Sequence, residues 1–383
     1  MESEDIRVAL PHERLSLEIA HADLIYVAAA LGNAEWDVGG ARRWPFLQYA
    51  ALVAFETKKH YRAVWDIELE AAWDETTATR ARMSAKYLDD NRRTISDTRA
   101  YFAEMLASNH GAFFPPDRLG EEFDFLRDDL SVASTNGTPL GTNVGGHFIA
   151  GFDPQTSGDW AAAKTHAFDL SRGIGNIARQ VVGDELDDAS THRLAIASPA
   201  IWWDGKSAEF LPQLFAGEFD EALTMALMTL IATARAVNDA ARPVCCGNCR
   251  FAALKHRFVV LYQTARSLEI LSNEDHTGRP ETLEFFGTLF SDKLVSRILE
   301  RRFKALRNGL VHLGLGDVAD QVALDASANG LIGAYTGLTG QDFENLVDQS
   351  LSSLLDLAME FLVTSRIGGN GLFSVMHPAP TDE

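Results

Sequence analysis

The run Arg302-Phe303-Lys304-Ala305-Leu306-Arg307-Asn308-Gly309-Leu310-Val311-His312 brings a guanidinium, a carboxamide and an imidazole into one short stretch. Arginine neutralises a phosphate through a planar fork of donors, and imidazole takes up or releases a proton near neutral pH. Those are the parts needed to cut a polymer that carries its own nucleophile. In RNA the 2′-hydroxyl can attack phosphorus. A protein then has only to remove that proton, balance the developing charge and protonate the leaving oxygen. Arg307 is expected to hold the phosphate, Asn308 to orient phosphate or ribose or to fix a bend, and His312 to serve as general base or acid. The chemistry calls for neither metal nor cofactor.

Position matters as much as type. In one uninterrupted helix, residues five apart point about 140° away from each other. Gly309 falls between Arg307 and His312, where a helix can close with positive φ. The expectation is a bend at Gly309 that lets the two side chains converge, with His312 just beyond it or in a restarted turn.

This stretch resembles the signature of the HEPN superfamily, small all-helical domains of which many are ribonucleases of toxin–antitoxin and antiviral systems. That signature is an Arg, usually followed by Asn, with four to six residues before a His. Arg307, Asn308 and His312 fill it, with apolar Leu310 and Val311 inside. The resemblance covers residues 205 to 367. It implies a four-helix bundle, metal-free endoribonuclease activity, and a homodimer in which two motifs face each other across one composite site. It also admits an antitoxin or regulatory protein as partner. Many HEPN domains have lost activity, so a non-catalytic module binding a protein, RNA or nucleotide is the alternative. In that reading Arg307 caps helix carbonyls or pairs with an acid, and His312 is a satisfied histidine between Val311 and Leu313.

Composition narrows the choice. The chain has 383 residues, 46% of them hydrophobic, enough for two domains with real cores. A formal charge of −20 argues against a protein that coats nucleic acid, because such binding is driven by lysine and arginine displacing counterions. Any RNA site must be local. Lys293, Arg297, Arg301, Arg302, Lys304 and Arg307 crowd one stretch, opposed there only by Asp292 and Glu300. Lys293, Arg297, Arg301 and Lys304 are therefore expected to bind RNA, unless acids elsewhere pair this face. His256, among basic and aromatic residues on a neighbouring helix, is expected to help with phosphate or else to be a boundary histidine.

Other motifs offer less. All three cysteines lie in Cys245-Cys246-Gly247-Asn248-Cys249. Cys246 and Cys249 have zinc-knuckle spacing, but there is no second cysteine pair, so reduced thiols in a tight connection are expected rather than a metal site. Gly173-Ile174-Gly175-Asn176 lacks the third glycine of a dinucleotide loop, and no Walker-type loop, Gly-x-Ser-x-Gly elbow or HExxH occurs. The opening Met1-Glu2-Ser3-Glu4-Asp5 is unlike a signal peptide and no apolar run can span a bilayer, giving the expectation of a cytoplasmic protein without membrane contact.

Periodicity predicts an all-α protein of two helical domains, 1–183 and 213–383, joined by a linker over 184–212. Helices are expected at 12–31, 46–73, 76–108 and 158–182, then at 205–241, 250–273, 281–308 and 341–366. The first of the second set is expected to break near Gly217. Ser131 to Gly158 reads as a loop or short hairpin, and Arg193 to Ile196 as a possible strand. The first half also holds Arg127-Asp128 and, with nineteen residues between Arg127 and His147, the Gly145-Gly146-His147 ending of a glycine-rich turn. Some HEPN proteins end their motif in such a Gly-Gly-His, so this half resembles a diverged HEPN-like domain; an unrelated helical domain is the other reading.

Overall fold

The computed structural model describes residues 10–32, 44–73, 75–88, 94–113, 128–135, 138–153, 160–187, 201–239, 247–274 and 278–363. The fold is all-α, with one small sheet among the described residues. The first half contributes α1 (Pro11–Gly32), α2 (Trp44–Trp65), α3 (Glu75–Ser84), α4 (Ile95–Phe113), α5 (Asn143–Ile149) and α6 (Trp160–Val182). The second contributes α7 (Glu221–Asp239), α8 (Gly247–Ser272), α9 (Pro280–Ser291), α10 (Lys293–Ile298), α11 (Arg301–His312), α12 (Ala328–Thr336) and α13 (Gly340–Val363).

The segment expected to be a loop or hairpin is a hairpin followed by a turn of helix. Strands β1 (Leu130–Thr135) and β2 (Thr138–Thr142) pair antiparallel, and β3 (Ile201–Gly205) adds on the other side of β1 to give the order β2-β1-β3. The Thr142 side chain then accepts from the Gly145 backbone nitrogen at 2.9 Å and starts α5. Gly145 and Gly146 are packing positions. A Cβ on Gly145 would stand 2.7 Å from the Thr229 hydroxyl of α7, and one on Gly146 would stand 2.6 Å from the Trp44 ring. His147 titrates far below an ordinary imidazole, at about 4, because burial disfavours its charged form. Arg127 and the strand expected over 193–196 lie outside the described residues.

The expected linker contains β3, which ties Trp202 and Trp203 to Ala133 and Val132 of β1. Apolar burial also joins the halves. One core cluster sets Leu15, Ile19, Phe102, Met105 and Phe148 among Leu227, Phe258, Phe303 and Phe343. A second joins α1, α2 and α6 to Cys249, Ala252, Val259 and Val311. Burial of such apolar surface is the dominant favourable term in folding, and here it runs through both halves together.

Several long expected helices are shorter in fact. The one over 76–108 divides into α3 and α4 around a turn in which Tyr87 has φ 47°. The one over 46–73 stops at Trp65, where Asp66 turns to φ 54°. The one over 281–308 is three helices. Asp292 leaves helical geometry and its side chain caps α10 by accepting from the Leu294 nitrogen, and Glu300 leaves it too, without a side-chain cap, before α11. Short polar side chains compete for backbone donors, and this local chemistry overrides a continuous apolar period. A break does occur near Gly217, which has φ 66°.

Candidate functional site

Helix α11 carries the motif on two different faces. Phe303, Leu306 and Leu310 go into the core, as a 3.6-residue period requires. Arg301, Lys304, Asn308 and His312 recur at intervals of three and four and share an outer stripe, where neighbours stand one above the other. The helix does not bend at Gly309, contrary to the expectation: it runs unbroken to His312 and closes at Leu313, which has φ 56°. That left-handed residue is costly for a side chain with a Cβ. Its ring of support is visible, since Leu313 is buried and its carbonyl accepts from the Ser16 hydroxyl at 3.0 Å.

Arg307 and His312 consequently diverge. Arg307 is only 7% exposed and turns toward α8. Its guanidinium carbon lies 5.6 Å from the Tyr262 ring centroid, and with the Gln263 carboxamide turned so that its oxygen faces the guanidinium, that oxygen accepts from Nε at 3.1 Å and from Nη2. Nη1 reaches back to the Asn308 Oδ1 at 2.9 Å. The guanidinium therefore fixes the Asn308 carboxamide from behind and leaves Nδ2 as the amide's donor end.

The stripe lines a cleft of about 350 Å³ formed by Arg301, Lys304, Asn308, Gly309, His312 and Tyr335, with Ala305 and Gly314 at its edges. Arg301 and Lys304 are exposed, and neither enters an ion pair among the described residues. Lys293 is exposed and Arg297 half-buried on α10, outside the cleft. Arg302 is committed elsewhere: Nε faces Glu300 at 2.8 Å and Nη1 donates to the Thr336 carbonyl at 2.9 Å.

The sequence reasoning missed Glu56. His312 Nδ1 meets Glu56 Oε2 at 3.0 Å, and Arg82 Nη2 and Nε meet Glu56 Oε1 at 2.5 and 2.6 Å. The His312 side chain is 35% exposed and that of Glu56 only 2%. Burial pushes the Glu56 carboxyl up, but the hydrogen bond from His312 and the charge of Arg82 outweigh it and hold it below the usual carboxylate range. Arg82 is itself packed over the Phe55 ring at 4.6 Å. A carboxylate on Nδ1 selects the tautomer in which Nε2 is the free nitrogen of the neutral ring. Glu56 sits on α2, some 250 positions earlier in the chain, and no spacing rule links it to His312.

His256 does not join this cleft. It is 1% exposed, stacked on Tyr49 at 4.0 Å with an interplanar angle of 15°, and Nδ1 meets the Tyr26 hydroxyl at 3.2 Å. The expectation that it binds phosphate is corrected by this enclosure. Burial and the adjacent Lys255 ammonium lower its pKa to about 3, so it is neutral in the fold. Cys249 is buried in the second core cluster; Cys245 and Cys246 lie outside the described residues. Among the described residues, no group of His, Cys, Asp and Glu is arranged to hold a metal, and no helix is long and apolar enough to cross a membrane.

No protein-family model matches the chain, and neither a curated protein nor a solved structure is significantly similar to it.

Proposed function

We propose that the cleft of α11 is the active site of a metal-independent endoribonuclease of HEPN type. The observation that carries this reading is the joining of one oriented imidazole to a stripe of cations and an amide. His312, tied through Nδ1 to the buried Glu56, shares its face with Asn308 and with two cations free of ion pairs among the described residues, in a chain of charge −20. In the reaction, Nε2 of His312 takes the proton of a ribose 2′-hydroxyl. The 2′-oxygen forms a bond to phosphorus, the bond from phosphorus to the 5′-oxygen breaks, and that oxygen takes a proton. The products are a 2′,3′-cyclic phosphate and a 5′-hydroxyl. Lys304, Arg301 and the Asn308 amide hold the phosphate, with Lys293 and Arg297 extending the basic face. Arg307 acts as a positioning residue through Asn308. In a homodimer of the kind the HEPN resemblance implies, the partner's imidazole gives the proton that the leaving oxygen takes.

One observation favours a second reading. Arg307, the residue most identified with phosphate in the HEPN signature, is buried against α8. A non-catalytic module that binds RNA, a nucleotide or a protein along the same stripe accommodates that placement. A toxin or antiviral role, an antitoxin partner and a cytoplasmic site of action rest on the resemblance and on the sequence expectations alone.

Incubation of the full chain and its His312→Ala variant with total RNA and tRNA in EDTA separates the two readings. Fragments ending in cyclic phosphate, made by the wild type alone, are expected. Equal cleavage by both proteins overturns the assignment, and RNA bound but left uncut by the wild type transfers the site to the binding reading.

A further inference from the structure

The cleft has a wall that phosphate chemistry alone does not explain. Tyr335, half-buried in the last turn of α12, is the aromatic side chain among the described residues that line it. The hydroxyl end of its ring lies against the backbone of α11 at Gly309. A Cβ there would stand 2.7 Å from the phenolic oxygen and 3.1 and 3.2 Å from two ring carbons. Gly309 is helical, in the interior of α11, where glycine weakens a helix and brings no conformational benefit. The one thing it provides is room for this ring.

The helix that carries the ring is anchored at both ends. The Ser327 side chain caps the start of α12 by accepting from the Gly330 nitrogen at 3.0 Å. Gly337, with φ 72°, closes its end. Arg302 ties the Thr336 carbonyl to α11 at 2.9 Å, one residue after Tyr335. An aromatic ring beside two cations that form no ion pair among the described residues, an amide donor and an imidazole is the set of parts by which proteins hold an unstacked nucleotide, with charge on the phosphate and a π-face on the base. From Arg301 to His312 the stripe rises about 16 Å along the helix axis, at 1.5 Å per residue, with Tyr335 beside its inner end.

We infer that Tyr335 is a specificity-determining residue, a platform on which one nucleobase of the bound RNA stacks while its phosphate lies along Lys304 and Asn308. The inference rests on the RNA reading of this cleft and adds the group that a base recognises. The hydroxyl takes no part in it, so Tyr335→Phe retains the function and Tyr335→Leu loses it.

The test is a binding cycle in the full-length His312→Ala protein, where cleavage plays no part. Eight-nucleotide RNAs, each with one abasic position moved along the chain, are titrated by fluorescence anisotropy against the parent protein and its Tyr335→Phe and Tyr335→Leu derivatives. One abasic position is expected to cost about tenfold in affinity with Tyr or Phe at 335 and nothing further with Leu, the size ordinary for one stacked base. A purely structural tyrosine would weaken every RNA alike, and equal abasic penalties in all three proteins overturn the inference. Absence of RNA binding overturns it too. Cleavage by the wild type, assayed separately, distinguishes failure of the platform alone from failure of the ribonuclease reading.

Discussion

Two imidazoles in this molecule are each held near a carboxylate and a cation, and they lead opposite lives. At the rim, His312 bonds to Glu56, whose other oxygen takes Arg82. In the interior, His256 stacks on Tyr49, whose hydroxyl donates to Asp23 at 3.1 Å, and Asp23 is paired with Lys255. Both members of that inner pair are only 2% exposed. The ingredients match, but the enclosure does not. Inside, desolvation is the largest influence on Asp23, Tyr49 and His256: it pushes the carboxyl and phenol up and the imidazole down, so each group is held toward its neutral form. At the rim, the same carboxylate chemistry keeps Glu56 ionised while its imidazole partner keeps a third of its surface in water. The inner cluster is architecture that joins α1, α2 and α8. The outer one keeps a nitrogen available.

The largest expected effect sets these two histidines against each other. His312→Ala should reduce RNA cleavage by about a thousandfold, within the range of lost acid–base catalysis, while melting changes by about 1 kcal/mol or less. His256→Ala should do the reverse, costing about 3 kcal/mol of stability through a lost packed ring and a vacated core site. Cleavage assays and urea unfolding on the same two preparations decide it. If His256→Ala abolished cleavage in a protein that stayed fully folded, the comparison would be wrong.

The inner ion pair gives the next effect. Lys255→Met leaves Asp23 buried with Tyr49 as its remaining hydrogen-bond partner among those seen, and should cost about 4 kcal/mol in urea unfolding. Asp23→Leu combined with Lys255→Met should recover most of that loss, since an apolar pair of similar volume avoids burying a charge. A double variant as unstable as the single one would show that the pair also fixes the geometry of α1 against α8.

Glu56→Gln should act on the outer site more mildly. A neutral amide can still meet Nδ1, but it no longer favours the proton there or balances imidazolium as it forms. A loss of about tenfold to a hundredfold in cleavage is expected, with RNA affinity unchanged. Equal loss in binding and cleavage would place Glu56 among the structural residues instead.

Much of this was legible in the chain. The all-α class followed from long runs of helical period, and the turn formers between Ser131 and Gly158 left a loop or a short hairpin, of which the fold has the hairpin. The stripe was readable because Arg301, Lys304, Asn308 and His312 are local in sequence. What failed were boundaries and depth. Asp292 and Glu300 end helices through single backbone geometries that periodicity does not register. Gly309 suggested a bend because glycine permits one, whereas the chain uses it for the close approach of Tyr335, a contact 26 positions away. His256 looked exposed among Lys255 and Arg257, yet Lys255 is sunk onto Asp23 and Arg257 is paired with Asp348. Glu56 was invisible for the same reason: its partner is supplied by the tertiary fold.

The smallest effect sharpens the comparison through acid. His256 has a pKa of about 3 in the fold against 6.5 for a free histidine. Between those values the unfolded chain binds a proton that the folded chain does not, so the stability His256 permits is full above pH 6.5 and declines as pH falls toward 3. Glu56 is depressed, so its contribution is present above its unfolded value of 4.5 and is lost only as pH falls through the lower folded value. Asp23, raised above 3.8, works against both, since the folded form retains its proton as pH rises past that value. Replacing His256 by Phe preserves the stack on Tyr49 and removes the titration. The variant should show a flatter stability profile from pH 6.5 down toward 3, followed through urea midpoints, and below 4.5 keep the part of the fall that Glu56 causes. Glu56→Gln should flatten only the limb below 4.5 and leave the fall between 6.5 and 4.5 intact. If Glu56→Gln also flattened the limb between 6.5 and 4.5, the inner and outer clusters would be one electrostatic unit, and the separation between architecture and site would have to be drawn elsewhere.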